Sequence, residues 1–286
     1  MLNRPTPLLS SRQESWIPIF AGVTGLGLQT LLFTFFFTIA AQATVFLEDK
    51  TWTELRDEIK AGATTIIIPV GGTEQNGPAM ALGKHNVRVK FLAEKIATKL
   101  GNTMVAPVIA YVPEGTINPP LAHMKFPGTI TVPDKVFEDM LDSAAASFQH
   151  AGFKTIVLIG DHGSYQNDLT VVADKLNAEW KGKARVFADL DYYNISQHQY
   201  MAALIANGVK QSDIGTHAAL SDTSLMLAVD PSLVRSDIIA NGPKLGSADG
   251  VYNGDPKNAS AKLGQLGIDL IIDGTVEAIR KFNTKP

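Results

Sequence analysis

The sequence contains no cysteine. Disulfide bonds, thiolate metal ligands and cysteine nucleophiles are therefore excluded, and any bound metal must be held by nitrogen and oxygen atoms. Positive charge is also scarce, because 25 Lys and Arg residues are balanced by 28 Asp and Glu, giving a formal net charge of -3. No local cluster of basic residues offsets this, so no nucleic-acid partner is expected. Aromatic residues make up only 8% of the 286 residues, but 45% are hydrophobic, which is enough for an ordinary core.

The first 43 residues differ in composition from the rest of the chain. Arg4 and Arg12 precede a stretch without charged residues, 15–46, whose most apolar part is LLFTFFFTIAAQA. The AQA at its end fits a small-x-small cleavage site, so residues 1–43 are predicted to be a secretory signal peptide. The mature protein would then be periplasmic or secreted, without stable membrane association. An uncleaved membrane anchor is the alternative, because the stretch approaches the roughly 20 residues that span a bilayer; an extended start is another.

Beyond residue 43, short apolar runs alternate with amphipathic segments of helical period. The predicted strands are TTIIIPV (64–70), NTMVAPVIAYV (102–112), KTIVLIG (154–160) and ARVFADLDYY (184–193). The predicted helices cover 86–100, 133–151, 166–180, 197–208, 221–234 and 263–283. Fully apolar strands between amphipathic helices indicate a mainly parallel sheet covered on both faces. With no internal repeat or long linker, residues 44–286 are predicted to form a single three-layer α/β domain.

Polar side chains follow the ends of the predicted strands, where α/β proteins bind their ligands. One group lies after the first strand, one after KTIVLIG, and one in the loop GTHAALSDTS (215–224). The groups are Glu74, Asn76 and His85; Asp161, His162 and Ser164; and His217 and Asp222. Two histidines and two carboxylates from separate loops can converge on one metal ion with N and O ligands. The predicted ligands are Glu74, His85, His162 and Asp222.

Purely structural roles are possible for most of these residues. Glu74 can cap a turn, and His85 can be a solvated residue before Asn86, which would then be the N-cap of the next helix. Asp222 can lie in a first helical turn, where the macrodipole favours a carboxylate. His123 sits in a loop rich in proline and glycine, and the sequence leaves open whether it serves the pocket or the fold.

Four blocks of the sequence resemble the creatininase (creatinine amidohydrolase) family in their order and spacing. They are PVGGTEQNGPAMALGKHN, FPGTITV, LIGDHGSYQND and THAALSDTSLMLAVDPSLV. The family patterns read roughly PxGSxEQHGPHLPLGTD, FPGTI, NGHGGN and HAGxxETS. The resemblance implies a metal-dependent amidohydrolase that cuts small cyclic or linear amides on an α/β scaffold, as a homo-oligomer. It matches Glu74 and His162 to family ligands, and Asp222 to the glutamate of ETS.

The departures from the family pattern concern the metal ligands. Asn76 and Ala79 stand where the family has histidines, and His85 stands where it has an aspartate that bridges two metals in creatininase. A carboxylate can bridge two cations through its two oxygens, whereas a neutral imidazole binds one. We therefore predict one divalent ion per chain, with Zn preferred and Mn or Fe as alternatives.

The predicted mechanism is hydrolysis of an amide in a small-molecule substrate by a water that the ion activates. A side chain must then carry a proton to the leaving nitrogen. The proton-transfer candidates are Asp222, His217 and Asp161, and the substrate-binding candidates are His123, Tyr165 and Asn76. Alternatives are lactone hydrolysis or lyase chemistry on a sugar-like substrate, and a non-catalytic exported binding protein that kept the fold.

Overall fold

Four parallel strands form the central sheet of the computed structural model, which describes residues 44–284. The strands are β1 (Thr65–Val70), β2 (Thr103–Val105), β3 (Thr155–Gly160) and β4 (Arg185–Ala188), in the spatial order β2-β1-β3-β4. Thr65 of β1 pairs with Thr103 on one side and with Thr155 on the other. The carboxyl ends of these strands therefore lie along one edge of the sheet, where the connecting loops begin.

The side chains of the central strands are buried on both faces of the sheet. All six residues of β1 are buried, and so are all six of β3. Ile66 and Ile68 pack into one hydrophobic cluster, whereas Ile67 packs into another on the opposite face. Alternation of side chains along an extended chain produces this division. It explains why the strand sequences are continuously apolar.

Helices cover both faces of the sheet. They are α1 (Trp52–Lys60), α2 (Lys84–Leu100), α3 (Asp134–Ala151), α4 (Gln166–Trp180), α5 (Asp191–Gln197), α6 (Gln199–Ala206), α7 (Gln211–Ile214), α8 (Leu220–Val229), α9 (Ser236–Asn241) and α10 (Ala261–Thr284). Apolar residues of α1, α3 and α4 pack on the Ile66 face. Those of α2, α5, α6, α8 and α10 pack on the Ile67 face. The predicted three-layer α/β architecture is confirmed.

Several element boundaries differ from the sequence prediction. The strand predicted over 184–193 ends at Ala188 and is followed by α5, and the helix predicted over 221–234 ends at Val229. The strand predicted over 102–112 ends at Val105, shortly before Pro107, which has no backbone N–H for a ladder. The chain rejoins the sheet edge only at Ile109, in an isolated bridge to Val70. Helix α2 begins at Lys84 with Gly83 as N-cap, so Asn86 is not the cap. The Asn86 side chain instead accepts a hydrogen bond from the Gly72 N–H at 3.0 Å.

A smaller antiparallel pair extends the domain beside the sheet. Strands β5 (Gly215–His217) and β6 (Tyr252–Gly254) pair through His217 and Tyr252. Within residues 44–284, no helix is both long enough and apolar enough to cross a lipid bilayer. The predicted signal peptide, residues 1–43, lies outside the described residues.

Candidate metal centre and active site

Four side chains that are suited to hold a metal converge at the carboxyl edge of the sheet. Glu74 follows β1, Glu114 lies in the loop after β2, and His162 follows β3. His123 comes from a single 3-10 turn (Ala122–Lys125) in the same loop as Glu114. One potential ligand atom from each of the four lies within 4.8 Å of the others. The central strands thus bring together residues that are distant in sequence.

The carboxylates in this group are buried without full hydrogen bonding. Among residues 44–284, no hydrogen-bond partner is found for Glu74 Oε2 or for either carboxylate oxygen of Glu114. Glu74 is 0% exposed and Glu114 is 2% exposed. A buried carboxylate oxygen without a partner is costly, and a metal ion is one of the groups that can satisfy it. The donor set of two carboxylates and neutral imidazoles therefore fits a divalent cation such as Zn²⁺ or Mn²⁺.

The two carboxylates differ in protonation when no cation is bound. Burial, together with the neighbouring Glu74 charge, raises the pKa of Glu114 to about 9. Burial also acts on Glu74, but His162, Lys84 and His85 outweigh it and hold the pKa of Glu74 well below its ordinary value. The ligand oxygens of the two carboxylates lie within 4.8 Å of each other. Two negative charges this close repel each other, and a divalent cation between them would compensate both. The centre is electrostatically incomplete without a cation.

Gly72 makes room for the Glu114 carboxylate. A Cβ atom at position 72 would lie 2.7 Å from Glu114 Oε1, which is too close, and 3.2 Å from Val112 Cγ2, which is tighter than most packing contacts. The φ of Gly72 is also +147°, a conformation that side chains rarely adopt. The second glycine of the GG pair after β1 is therefore required by the fold around Glu114.

The ring of His162 is oriented so that one nitrogen faces the centre. Nδ1 lies 2.9 Å from Ser164 Oγ and 3.2 Å from the Ser164 N–H. The Ser164 N–H donates to Nδ1, which therefore acts as an acceptor, and the Ser164 hydroxyl beside it also donates to the Pro113 carbonyl at 2.6 Å. Nε2 faces the centre, 3.4 Å from Glu74 Oε2, and would bind a cation once its proton is displaced. Burial lowers the pKa of His162 to about 4, so the ring is neutral, as a metal ligand must be.

Removing the Ser164 hydroxyl is expected to weaken metal binding without touching a ligand. Loss of a hydrogen bond that fixes a ligand imidazole typically reduces affinity by about 10- to 100-fold. Titration of Ser164→Ala with Zn²⁺ or Mn²⁺ measures the effect. Ser147→Ala is the control, because that exposed hydroxyl on α3 donates to the Ser143 carbonyl and lies away from the four-residue group. Equal affinity in Ser164→Ala and wild type would contradict this role of the hydroxyl in orienting the His162 ring.

Gln75 fixes the proton of His123. The Gln75 amide nitrogen donates to His123 Nδ1 at 3.0 Å, while its Oε1 accepts from the Gly77 N–H at 2.9 Å. With Nδ1 accepting, His123 Nε2 carries the proton; it lies 3.2 Å from Glu74 Oε2 but is not aligned to hydrogen-bond to it. Burial lowers the pKa of His123, so the ring is neutral. In this tautomer His123 is a hydrogen-bond donor at the cavity, and it becomes a fourth ligand only if the proton moves to Nδ1.

A network of buried ion pairs lies next to the four-residue group. Lys84 and Arg88 share one face at the start of α2, where the helix macrodipole disfavours cations. Carboxylates offset this: Lys84 Nζ lies 2.7 Å from Asp222 Oδ2, Arg88 lies 2.8 Å from Asp222 Oδ1, and Arg88 lies 2.8 Å from Asp161 Oδ2. Despite burial, Lys84 and Arg88 hold the pKa of Asp222 well below its ordinary value. The network joins the N-terminus of α2 to the end of β3 and the start of α8.

Two of the predicted ligands, His85 and Asp222, lie beside the four-residue group. His85 Nε2 is 2.7 Å from Glu74 Oε1, and His85 Nδ1 is 2.6 Å from Asp161 Oδ2, so both ring nitrogens face carboxylates. Asp222 also accepts from the Ala218 N–H at 3.0 Å, in addition to its two ion pairs. Direct ligation by either residue would require these contacts to open, and it stays a prediction.

The other predicted site residues divide into cavity and scaffold positions. Asp161 and His217 line the cavity together with His123. Asn76 donates from its side chain to the Glu74 and Ala81 carbonyls, and it holds the loop in place. Tyr165 is fully buried; its hydroxyl donates to the Val70 carbonyl at 2.9 Å and accepts from the His162 N–H at 3.0 Å. Within residues 44–284, neither Asn76 nor Tyr165 lines the cavity, so direct substrate binding by them does not fit this geometry.

The cavity next to the centre is small and polar. It has a volume of about 230 Å³, which suits a small molecule and not a large ligand. Besides the histidines and the charged groups, hydroxyl and amide side chains line it. These are Tyr193, Ser196, Gln197, Thr216, Ser221 and Tyr252. The cavity therefore favours a polar substrate with several hydrogen-bonding groups.

An α/β sheet whose carboxyl edge gathers carboxylates and neutral imidazoles around a small polar cavity fits a class of protein, the hydrolases that use a bound metal. The model of the creatinine amidohydrolase family matches residues 48–279. The chain belongs to the creatininase family. This confirms the resemblance seen in the sequence.

Individual relatives of the chain are hydrolases named for different substrates. The 3-dehydro-scyllo-inosose hydrolase of Thermotoga maritima is 29% identical over 194 residues, which cover 68% of this chain and 58% of that protein. The chain thus matches less than two thirds of that relative's length. The creatinine amidohydrolase of Pseudomonas putida is 23% identical over 263 residues, covering 83% of this chain and 96% of that protein.

Solved creatininase structures share the fold. A structure described as the Mn form of creatininase matches with a TM-score of 0.68 at 23% identity, covering 85% of this chain and 100% of that one. A mutant described as a Zn-Zn type matches with a TM-score of 0.65 at 22% identity and the same coverage. At this level of identity, the comparisons show the common architecture.

Proposed function

We propose that this protein hydrolyses a C–N amide bond in a polar small molecule with the help of one divalent metal ion per chain. The proposal rests chiefly on the buried carboxylate oxygens of Glu74 and Glu114, which have no hydrogen-bond partner within residues 44–284 and lie close to a neutral His162. Membership of a family of amidohydrolases supports the reaction class. Zn is the preferred ion and Mn the alternative, since related creatininase structures are described as Zn-Zn and Mn forms.

The residues that would hold the ion are Glu74, Glu114 and His162, with His123 as a possible fourth. Such an ion supplies Lewis acidity, which activates water and polarises a carbonyl. Three protein ligands leave a position open for that chemistry. In the tautomer that the Gln75 contact favours, the Nε2–H of His123 is available to donate a hydrogen bond to a polar group of the substrate and so to orient it.

His217 is the best placed of the three predicted proton carriers. Its Nε2–H donates to the Gln75 carbonyl at 2.9 Å, which leaves Nδ1 without a proton. Burial and the nearby Lys84 lower the pKa of His217 to about 3. A proton on Nδ1 is therefore held weakly, so Nδ1–H would pass it readily to the leaving nitrogen of the amide. Asp161 and Asp222 are less suited to this step, because their ion pairs lower their pKa values.

Hydrolysis of a cyclic polyhydroxylated ketone is the second candidate reaction. Identity to the Thermotoga maritima hydrolase, at 29%, exceeds the 23% to the Pseudomonas putida enzyme. The hydroxyl side chains of Ser196, Thr216 and Ser221 at the cavity would also suit a polyol. This candidate keeps the same centre and changes the bond that is cleaved.

Removal of metal is expected to abolish turnover. The test is a panel of small cyclic and linear amides, lactones and cyclic polyhydroxy ketones, assayed before and after exhaustive chelation and again after addition of Zn²⁺ or Mn²⁺. We expect hydrolysis of an amide that chelation abolishes and metal restores. Metal-dependent turnover of the ketones alone would favour the second candidate. Turnover that survives complete metal removal would refute both, and stoichiometric metal without any turnover would favour a binding protein.

Export and self-association complete the proposal. Export is supported by the composition of residues 1–43, and self-association by the family resemblance. Both remain predictions.

A further inference from the structure

Lys84 is a buried lysine whose ammonium group is surrounded by side chains of the kinds that bind metals. The residue is 0% exposed. Its Nζ lies 2.7 Å from Asp222 Oδ2, 3.6 Å from Glu74 Oε1 and 3.5 Å from His217 Nδ1. The Nδ1 atom of His217 carries no proton, because its Nε2–H is donated to the Gln75 carbonyl. Two carboxylate oxygens and an imidazole lone pair thus face one cation.

A buried position in the first turn of a helix is unfavourable for a lysine unless nearby negative charges compensate its ammonium group. Burial of an ammonium group costs several kcal/mol unless it is paired. Lys84 also lies in the first turn of α2, where the helix macrodipole opposes a positive charge. The same oxygen and nitrogen ligands would suit a Zn²⁺ or Mn²⁺ ion in that place.

The net charge of the buried groups also favours a single divalent ion in the centre. Four carboxylates, Glu74, Glu114, Asp161 and Asp222, lie in or beside the centre, and Lys84 and Arg88 are their partly compensating cations. Once all four carboxylates are ionised, at most two negative charges remain, fewer if His85 between Glu74 and Asp161 is protonated, and one divalent ion neutralises them. A second divalent ion next to Lys84 would add an excess of positive charge inside the protein.

We propose that the Lys84 ammonium is a built-in cation in a position that would otherwise take a second divalent ion, and that it limits each chain to one ion. This inference rests on the proposed function, because it assumes that the Glu74, Glu114 and His162 site binds metal. Lys84 also contributes to the wall of the cavity. In this respect the centre differs from the related creatininase described as a Zn-Zn form.

Metal stoichiometry in Lys84 variants tests the inference. Full-length protein is saturated with Mn²⁺ or Zn²⁺, freed of excess metal and measured by elemental analysis. We expect one ion per chain in wild type and two in Lys84→Ala, where the charge and most of the side-chain volume are gone. Lys84→Met is the matched control, because it removes the charge but fills the volume, and we expect one ion. Lys90→Ala, an exposed lysine on the same helix paired with Glu48, should also bind one.

A double variant and a stability measurement separate binding of a second ion beside Asp222 from adventitious binding or loss of folding. The additional ion should disappear in Lys84→Ala/Asp222→Ala, since Asp222 provides the closest oxygen. If Lys84→Ala is unstable without metal, Mn²⁺ should raise its melting temperature more than that of Lys84→Met. One ion in both wild type and Lys84→Ala would overturn the inference and leave the proposed function standing. Two ions in wild type would overturn the inference and the proposed stoichiometry, but not the proposed reaction. No ion in wild type would overturn the proposed function itself, and the inference with it.

Discussion

Replacement of Glu74 by glutamine is expected to lower metal affinity by more than about 100-fold and to abolish hydrolysis. Loss of a residue that only supports a metal ligand typically reduces affinity by about 10- to 100-fold, so loss of a ligand should reduce it further. Glu74 is completely buried, and its two oxygens serve opposite sides of the centre. Oε1 lies 2.7 Å from His85 and 3.6 Å from Lys84, while Oε2 faces His123 and His162. Glutamine keeps the shape but removes the charge and places an amide N–H₂ near the cation. The buried cations then lose their counter-charge, so a lower melting temperature is expected as well.

Metal titration, elemental analysis and circular dichroism together measure the effect of Glu74→Gln. Glu94→Gln on α2 is the control, because that side chain is exposed and pairs only with the neighbouring Lys95 among residues 44–284. Glu94→Gln should match wild type in both metal content and melting temperature. A folded Glu74→Gln protein that holds metal at wild-type occupancy would show that the centre lies elsewhere.

The sequence predicted Glu74 and His162 because both follow apolar strands that are recognisable on their own. The TTIIIPV and KTIVLIG runs allow only buried strands, and the loops after such strands carry the ligands in α/β proteins. The same rule applied to the second strand would have found Glu114, which directly follows NTMVAPVIAYV and one proline. A proline and a glycine lie on either side of Glu114, a pattern that is typical of turns and gives no sign of a ligand. Only the structure shows its carboxylate close to Glu74.

The ion-pair network was not predictable from local sequence. Lysine and arginine are normally exposed, so KHNVR at a helix start suggests a solvated surface. Burial of Arg88 depends on carboxylates 73 and 134 residues further along the chain, at Asp161 and Asp222. The prediction of His85 as a ligand has the same weakness, because the carboxylate beside its second nitrogen, Asp161, comes from another strand end. Local pattern identifies which residues reach the edge of the sheet, and tertiary contacts decide how they pair.

Replacement of Glu114 by glutamine is expected to remove metal binding while preserving the fold. Without metal, burial and the Glu74 charge raise the pKa of Glu114 to about 9, so at pH 7 the side chain is a neutral acid. Glutamine has nearly the same shape as that acid and the same charge. The melting temperature of the metal-free variant at pH 7 should therefore be close to that of wild type. Metal affinity should fall by at least about 100-fold, because the amide cannot supply an anionic oxygen.

The pH dependence distinguishes this role of Glu114 from a merely structural one. Between pH 4.5, the ordinary value, and about 9, the folded metal-free chain keeps the Glu114 proton that the unfolded chain has released. Its stability should therefore fall as pH rises through this window, and Glu114→Gln should remove the part due to Glu114, which is clearest between pH 7 and 9, above the pKa of about 7 to which burial raises Asp189. Metal binding must displace the same proton, so wild-type affinity should rise about tenfold per pH unit from pH 6 to 8. His162 adds little to this pH dependence of metal affinity, since its pKa of about 4 leaves it neutral.

Calorimetric titrations in buffers of different ionisation enthalpy count the proton that Glu114 releases when metal binds. Wild-type affinity that does not change with pH, or a Glu114→Gln variant with the wild-type slope, would remove Glu114 from the metal centre.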